Sequence, residues 1–381
     1  MRRAGSSRLH SFAKYWSRLT LVSVISPEYG QPEGKYSRIQ YPIPTYGLAN
    51  LNFLRVLPHL LRFVQRMVVD VVFSSYPQPS GQFLTEYLLA RRLGCPLVVD
   101  IRDLPTAMLT VKKGTFLGRI TKRLRHRLIH YFFSKATRIG TVTDHLREQL
   151  IKALNYQPAR IYVIRNGSET ELFKRAFTVK KEFDLVFSGK LFNYRDPQSM
   201  LRFLRELADL YPALKVLFIA EVGKQVEEEF FQGIRDLDLC GNIELEEMGP
   251  PELLPERLGR ARLGFTSLKP RLNSYEGVAS AKNYEYLASG LPVIGLLDSD
   301  FYIELRRLIT DNQVGILHPH PKLLAEQTAA LLKDPARLRR MSKRARKVGE
   351  RFDRKRLAEE YYYKVILPAW EEFNASRLGG R

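Results

Sequence analysis

Three short segments hold residue types able to do chemistry. Lys282 and Glu285 lie in YEGVASAKNYEYLASGLPVIG (275–295), which reads as a loop, a short helix and a buried strand. A three-residue spacing puts both side chains on one helix face near its beginning. Gly290 ends the helix, and Leu291–Pro292 opens the strand. An ordinary solvent-facing ion pair has the same K-x-x-E spacing. In SGKLFNYR (188–195) a strand is expected to end at Gly189, where the missing side chain lets a ligand approach the backbone. Lys190 and Arg195 then supply two cations suited to a diphosphate whose charge grows as it departs. Two solvated loop cations fit the same residues. Arg102–Asp103 follows the apolar run PLVVDI (96–101). Arg102 can bind a phosphate or a sugar hydroxyl. Asp103 can orient an acceptor hydroxyl, or simply cap the turn before Pro105. Thr143, ahead of Asp144–His145, reads as a helix cap. The seven His form no H-E-x-x-H or H-x₃-H cluster, so no metal is expected.

Such residues need rigid elements behind them. Short apolar runs alternate with amphipathic segments, the pattern of a parallel sheet covered by helices. Strands are expected at 19–25, 70–74, 96–101, 138–142 and 160–164. A second series begins at DLVFSG (184–189) and continues at 214–219, 242–247, 262–267, 292–296 and 314–318. Helical patterns fall between them, and 334–371 is mostly helical. The fold class is α/β, with two doubly wound Rossmann-like domains facing across a cleft that is the default active site. The expected domains are 1–172 and 173–360. A C-terminal helix and tail, 361–381, is expected to return to the first domain. The first domain lacks the apolar strand that normally opens it, as though Ala4–Gly5–Ser6–Ser7 ended a turn. A displaced start or truncation accounts for that, and a diverged, smaller sheet is the alternative.

The chain has 381 residues, 45% hydrophobic and 27% charged, with only two Cys. Disorder, a disulfide scaffold and a Cys-rich zinc site are thereby excluded, and a reducing compartment fits. No run approaches the roughly 20 apolar residues of a spanning helix, and the basic amino terminus lacks the apolar core of a signal peptide. Net charge is +21, and residues 1–176 carry 28 Lys+Arg against 10 Asp+Glu. Nucleic acid, an anionic membrane or an anionic substrate would each suit that excess. KKGTFLGRITKRLRHRLIHYFFSK (112–135) and, more weakly, LNFLRVLPHLLRFVQR (51–66) mix cations with apolar residues at helical spacing. That pattern suits an anionic leaflet, or packing on the domain's own sheet.

Taken together, the two C-terminal segments resemble family-4 retaining glycosyltransferases of the GT-B fold. Gly189–Arg195 matches that family's G-R-L-x-x-x-K with both basic residues exchanged, and Lys282–Val293 matches its K-x-x-E-Y-[LM]-A-x-G-x-P-V stretch. Asn166–Gly167, with Phe173 behind it, resembles the inter-domain hinge. DVVFSSYPQPSGQFLTEYLLARRLGCPLVVDIRDLP (70–105) resembles the branch acting in surface-polysaccharide and lipid-linked glycan assembly. The resemblance implies that Gly189, Lys190, Arg195 and Lys282 bind the donor, with Lys190 and Arg195 on its diphosphate. It further implies that Glu285 holds the ribose and that the helix N-terminus near Ser280 faces phosphate. Glu276 would lie beside the donor sugar, although the family's carboxylate falls at the next position, Gly277. The implied reaction is a metal- and cofactor-free transfer with retention, from a UDP- or GDP-sugar bound by 173–360 to a lipid-linked or glycan acceptor bound by 1–172. It would take place in the cytoplasm, peripherally at the inner face of the membrane, with anionic lipid met by the N-terminal half. Nucleic acid is disfavoured, because no zinc-finger, RNP or helix-turn-helix signature is present. The alternative is a non-catalytic, degenerate relative or basic binding protein for anionic membrane or nucleic acid.

Overall fold

The computed structural model describes residues 4–26, 37–40, 58, 61–62, 64–65, 67–76, 80–102, 127, 131–269 and 279–378. The chain divides into two compact units. One comprises Gly5–Arg165 with Lys355–Arg381, the other Asn166–Arg354 with Met1–Ala4. These divisions fall slightly upstream of the 172/173 and 360/361 boundaries expected from sequence.

The N-terminal unit opens with helix α1 (Ala4–Trp16). Ala4–Ser7 therefore form its first turn, not the end of a loop. The strand expected from residue 19 begins only at Ser23, because a turn follows α1 and leaves Leu19 and Leu21 exposed. Strands β1 (Ser23–Ser26) and β2 (Ser37–Gln40) make a parallel pair. Strands β3 (Val72–Tyr76), β4 (Leu97–Ile101), β5 (Arg138–Thr141) and β6 (Ile161–Val163) form a separate parallel sheet in that order. The expected single sheet is thus divided in two among the described residues. Helix α2 (Ser80–Leu93) connects β3 to β4, and α3 (Asp144–Leu154) connects β5 to β6. Thr143 caps α3, its hydroxyl accepting from the Leu146 N–H at 3.2 Å.

Asp100, in the middle of β4, is fully buried and pairs with Arg8 of α1. Arg8 donates to both carboxylate oxygens at 3.0 and 3.1 Å and to the carbonyls of Ile164 and Arg165. That satisfies the carboxylate and most of the guanidinium, as a buried charge requires.

The C-terminal unit has six parallel strands: β7 (Phe183–Leu191), β8 (Val216–Val222), β9 (Ile243–Glu246), β10 (Ala261–Ser267), β11 (Val293–Leu296) and β12 (Gly315–His318). Their order is β12-β11-β10-β7-β8-β9, the doubly wound order 3-2-1-4-5-6. Alternation along β7 sends Leu185 and Phe187 to one face and Val186 to the other. The first face is covered by α4 (Pro197–Leu210), α5 (Glu227–Asp236) and α9 (Pro321–Leu332). The second is covered by α6 (Leu254–Gly259), α7 (Ala281–Ala288) and α8 (Ile303–Ile309). Helix α10 (Pro335–Glu350) contributes to both cores. The winding therefore reverses between β7 and β10, and ligands of open α/β sheets bind outside the carboxyl ends of strands at such a point.

The chain then returns to the N-terminal unit through α11 (Arg354–Tyr361), one turn of π-helix and α12 (Leu367–Leu378). Tyr361 joins Phe12, Trp16 and Phe73 in an aromatic cluster with centroids 4.8–6.2 Å apart. The Trp16 indole donates to the Ala358 carbonyl at 2.7 Å. No helix among the described residues is long and apolar enough to cross a membrane.

Candidate active site

The reversal point between β7 and β10 brings several of the sequence candidates together. Gly189 lies near the end of β7 with φ +113°, a conformation open essentially to glycine alone. A Cβ there would come within 3.4 Å of the Lys282 Nζ and 3.5 Å of its Cε. Lys282 reaches this point from the first turn of α7, running over the Phe187 ring at 3.8 Å. Its ammonium is buried and has no hydrogen-bond partner among the described residues. Burial drives its pKa well below 10.5, the Arg195 guanidinium pushes it further down, and Glu285 partly opposes both.

Arg195 is held at 6% exposure by the turn after β7. It donates to the Ser267 carbonyl at 3.1 Å, while the Ser267 hydroxyl donates back to its own carbonyl at 2.6 Å. The guanidinium lies over the Tyr194 ring, and its Nε has no partner among the described residues. Lys282 thus lies against a stretch of β7 whose backbone carries no side chain, and the buried Arg195 guanidinium is close enough to act on its charge. Each alone is an electrostatic cost, and an anion seated there would satisfy both.

Glu285 is half-buried one turn further along α7. Burial raises its pKa, against the pull of Arg354 and Lys282, and it forms no ion pair among the described residues. A carboxylate so placed accepts hydrogen bonds and is not neutralised by a neighbour. Ser280 holds the N-cap position of α7 and accepts from the Asn283 amide at 3.1 Å.

Tyr286 supports the whole arrangement and escaped the sequence reading. Its hydroxyl accepts from the Ser188 N–H at 2.8 Å and donates to the Phe265 carbonyl at 3.0 Å. It therefore ties β7 to β10 at the reversal point and fixes α7 against both. Gly264 admits its ring: a Cβ there would meet Tyr286 at 2.5 Å. The clue in the sequence was a large aromatic directly after Glu285 and just ahead of the apolar Leu287–Ala288.

Lys190 is placed differently from the expectation. β7 does not stop at Gly189 but continues to Leu191, because β8 extends to Val222 and pairs with it. Lys190 is consequently a ladder residue opposite Glu221, and the two form an ion pair at 2.7 Å, both partly exposed. The hinge-like segment is tied within the C-terminal unit. The Asn166 amide donates to the Ala279 carbonyl at 3.2 Å, Arg354 donates to the Gly167 carbonyl at 3.0 Å, and Ser168 bridges to Asp353.

Of the N-terminal candidates, Arg102 follows β4 and its N–H donates to the Tyr76 carbonyl at 3.0 Å. Asp103 and Glu276 lie outside the described residues, as does most of 112–135 and 51–66. In the described end of the first segment, Phe132 and Phe133 are buried in the unit's own core. A cavity of about 360 Å³ beside β6 is lined by Asp144, Arg147 and Lys364. All three charges are already engaged: Arg147 by the Ile161 and Pro158 carbonyls, Asp144 by Arg165 and Lys364 by Glu360.

Residues 6–167 match the model of a glycosyl transferase 4-like domain. No curated protein matches the sequence significantly. Among solved structures the chain is similar to sucrose-phosphate synthase from Thermosynechococcus elongatus, with 14% identity and a TM-score of 0.70 over 96% of this chain and 94% of that one. It is also similar to a glycosyltransferase from Rickettsia africae, with 13% identity and a TM-score of 0.69 over 98% and 96%. HepE from Anabaena in complex with UDP-glucose is similar at 14% identity and a TM-score of 0.67 over 94% of each chain. At these identities the likeness shows the fold. The chain has two Rossmann-like parallel-sheet units of the GT-B kind, and its residues 6–167 are similar to a glycosyl transferase 4-like domain.

Proposed function

We propose that the protein is a retaining glycosyltransferase moving a sugar from a nucleoside-diphosphate sugar to a lipid-linked or polysaccharide acceptor. The observation that carries the reading is the buried, unpartnered Lys282 ammonium beside buried Arg195 and the bare backbone of Gly189. Such a cradle suits a diphosphate, and it suits the departing nucleoside diphosphate better still, because negative charge accumulates there as the glycosidic bond breaks. Glu285 takes the ribose hydroxyls. Support comes from similar structures whose complexes contain UDP, UDP with glucose, or UDP-glucose.

In this reading Arg195 and Lys282 stabilise the leaving group, and Lys190 joins them only if its ion pair with Glu221 opens. The acceptor hydroxyl attacks from the leaving-group face, so positioning and charge stabilisation replace a protein nucleophile. Arg102 and Asp103 would orient that acceptor and Glu276 the donor sugar. The enzyme would work peripherally at the inner face of the membrane. The test is thermal unfolding with UDP-, GDP- and ADP-sugars, followed by a transfer assay with the nucleotide found. One of them should stabilise the wild type, and Lys282→Ala and Glu285→Ala should each abolish that gain. No stabilisation by any of the three would remove the donor reading.

A further inference from the structure

The second half of the sequence carries 33 Lys+Arg against 30 Asp+Glu, yet twelve of those cations and only three of the acids fall within 333–356. The remainder of that half is net negative. Helix α10 occupies most of this basic stretch. It starts at a proper cap, with the Asp334 carboxylate accepting from the Arg337 N–H at 2.9 Å and Pro335 next. Its inner face is small and apolar: Leu338, Ala345, Val348 and Gly349 are buried. A Cβ at Gly349 would come within 2.6 Å of the α7 backbone, so the inner face is fully committed to the fold.

The outer face carries Arg337, Arg339, Arg340, Lys343 and Lys347, all exposed. None has a side-chain hydrogen bond or ion pair among the described residues. By contrast, Arg346 is turned inward onto the Thr170 and Ala288 carbonyls and the Phe177 ring, and it pairs with Glu350. At 3.6 residues per turn the five unpartnered cations cover one continuous half of the helix. They are spread along about 15 Å of the helix axis.

We propose that this face of α10 docks the C-terminal unit onto an anionic lipid surface, independently of the transferase reading and of the basic N-terminal segments. Four to eight cations on an amphipathic helix are what an anionic leaflet attracts. The arc is convex and carries no aromatic side chain, whereas single-stranded nucleic acid takes a channel with stacking rings. No large apolar side chain projects from the arc either. Adsorption is therefore electrostatic, without insertion, and weakens with salt.

The test is sedimentation of the full chain with phosphatidylcholine vesicles, with and without phosphatidylglycerol. The variant is Arg337→Gln/Arg340→Gln/Lys343→Gln/Lys347→Gln, checked for an unchanged unfolding midpoint. The control is Lys224→Glu/Lys322→Glu, on exposed cations elsewhere in the same unit. Since each cation near such a surface contributes roughly a fivefold gain, the variant should bind anionic vesicles at least tenfold more weakly. The control should bind as wild type. If the midpoint falls, the two-site variant Lys343→Gln/Lys347→Gln is used and should show a smaller loss of the same sign. Equal binding by variant and wild type overturns the proposal, as does equal binding to vesicles lacking phosphatidylglycerol. Displacement by a short nucleic-acid duplex at lower charge concentration than lipid overturns it in favour of nucleic acid.

Discussion

Replacing Lys282 by Met separates what the site costs from what it does. The ammonium is buried, has no acceptor among the described residues, and gains chiefly the Phe187 ring at 3.8 Å. A desolvated cation–π contact contributes about 2 kcal/mol. A buried unsatisfied polar group costs about 1–3 kcal/mol, and a charged one more. Burial and the Arg195 guanidinium both disfavour the charged form, so the cost is expected to exceed the ring contact. Met keeps the length of the side chain and a sulfur contact with the ring of about 0.3–1.5 kcal/mol. Lys282→Met should therefore stabilise the unliganded protein by about 1–3 kcal/mol, at about 2–4 °C per kcal/mol for a unit of this size.

The gain should depend on pH with a defined sign. Between the lowered folded value and 10.5 the unfolded chain binds the extra proton, so wild-type stability rises with pH across that window. Below the window both states are protonated and the folded state bears the whole penalty. The advantage of Met is thus largest there and fades as pH approaches 10.5. Adding the nucleotide sugar that stabilises the wild type should narrow or reverse the ranking, because Met cannot hold a phosphate. Urea unfolding across pH, with and without that ligand, reads all of this. A destabilised variant, a gain that does not change with pH, or an undiminished response to ligand would each refute the anion cradle.

Gly189→Ala forces a side chain into φ +113° against Lys282; it should cost about 1–3 kcal/mol and abolish the nucleotide-dependent thermal shift. Tyr286→Phe leaves the Ser188 N–H without its acceptor and should cost about 1–3 kcal/mol in chemical unfolding, with a matching fall in donor affinity as α7 loosens. Asp100→Asn strands the buried Arg8 and should cost about 3–5 kcal/mol, whereas Arg8→Met/Asp100→Leu should recover most of it; a double variant no better than the single would show that the pair is not the issue. Thiol titration at pH 8 should find Cys240 reacting at once and Cys95 protected until unfolding, since burial pushes the Cys95 thiol up to about 11.

What was legible in the sequence followed from local pattern. The βα rhythm, the helix over 281–288 and the cap at Thr143 all depend on neighbours within a few residues. Long-range pairing was not legible. Nothing near Asp100 announces that its partner is Arg8, 92 positions away; a lone acid in an apolar run says only that some partner exists. The strand end expected at Gly189 failed for a related reason. Whether a strand ends at Gly189 or Leu191 is decided by how far β8 runs beside it, and Glu221 becomes the partner only through that register. Tyr286 shows the reverse case. Its residue type was visible, but its role depends on the β7–β10 adjacency, which no local spacing encodes.

Charge gives the last step. A net excess confined to the first half made the second half look electrostatically plain, with a few placed cations for a donor. The structure separates two populations that the sum had merged. Arg195 and Lys282 are buried, costly and without an ion-pair partner among the described residues, the signature of groups kept for a ligand. The α10 cations are exposed, nearly free of cost and aligned, which suits a surface and not a pocket. Salt should therefore act on them unequally: raising ionic strength should release anionic vesicles while leaving the nucleotide-dependent thermal shift largely intact, because buried charges are screened far less than exposed ones. Equal sensitivity of the two readouts would mean that the supposed cradle is open to solvent, and the assignment of Lys282 would fail with it.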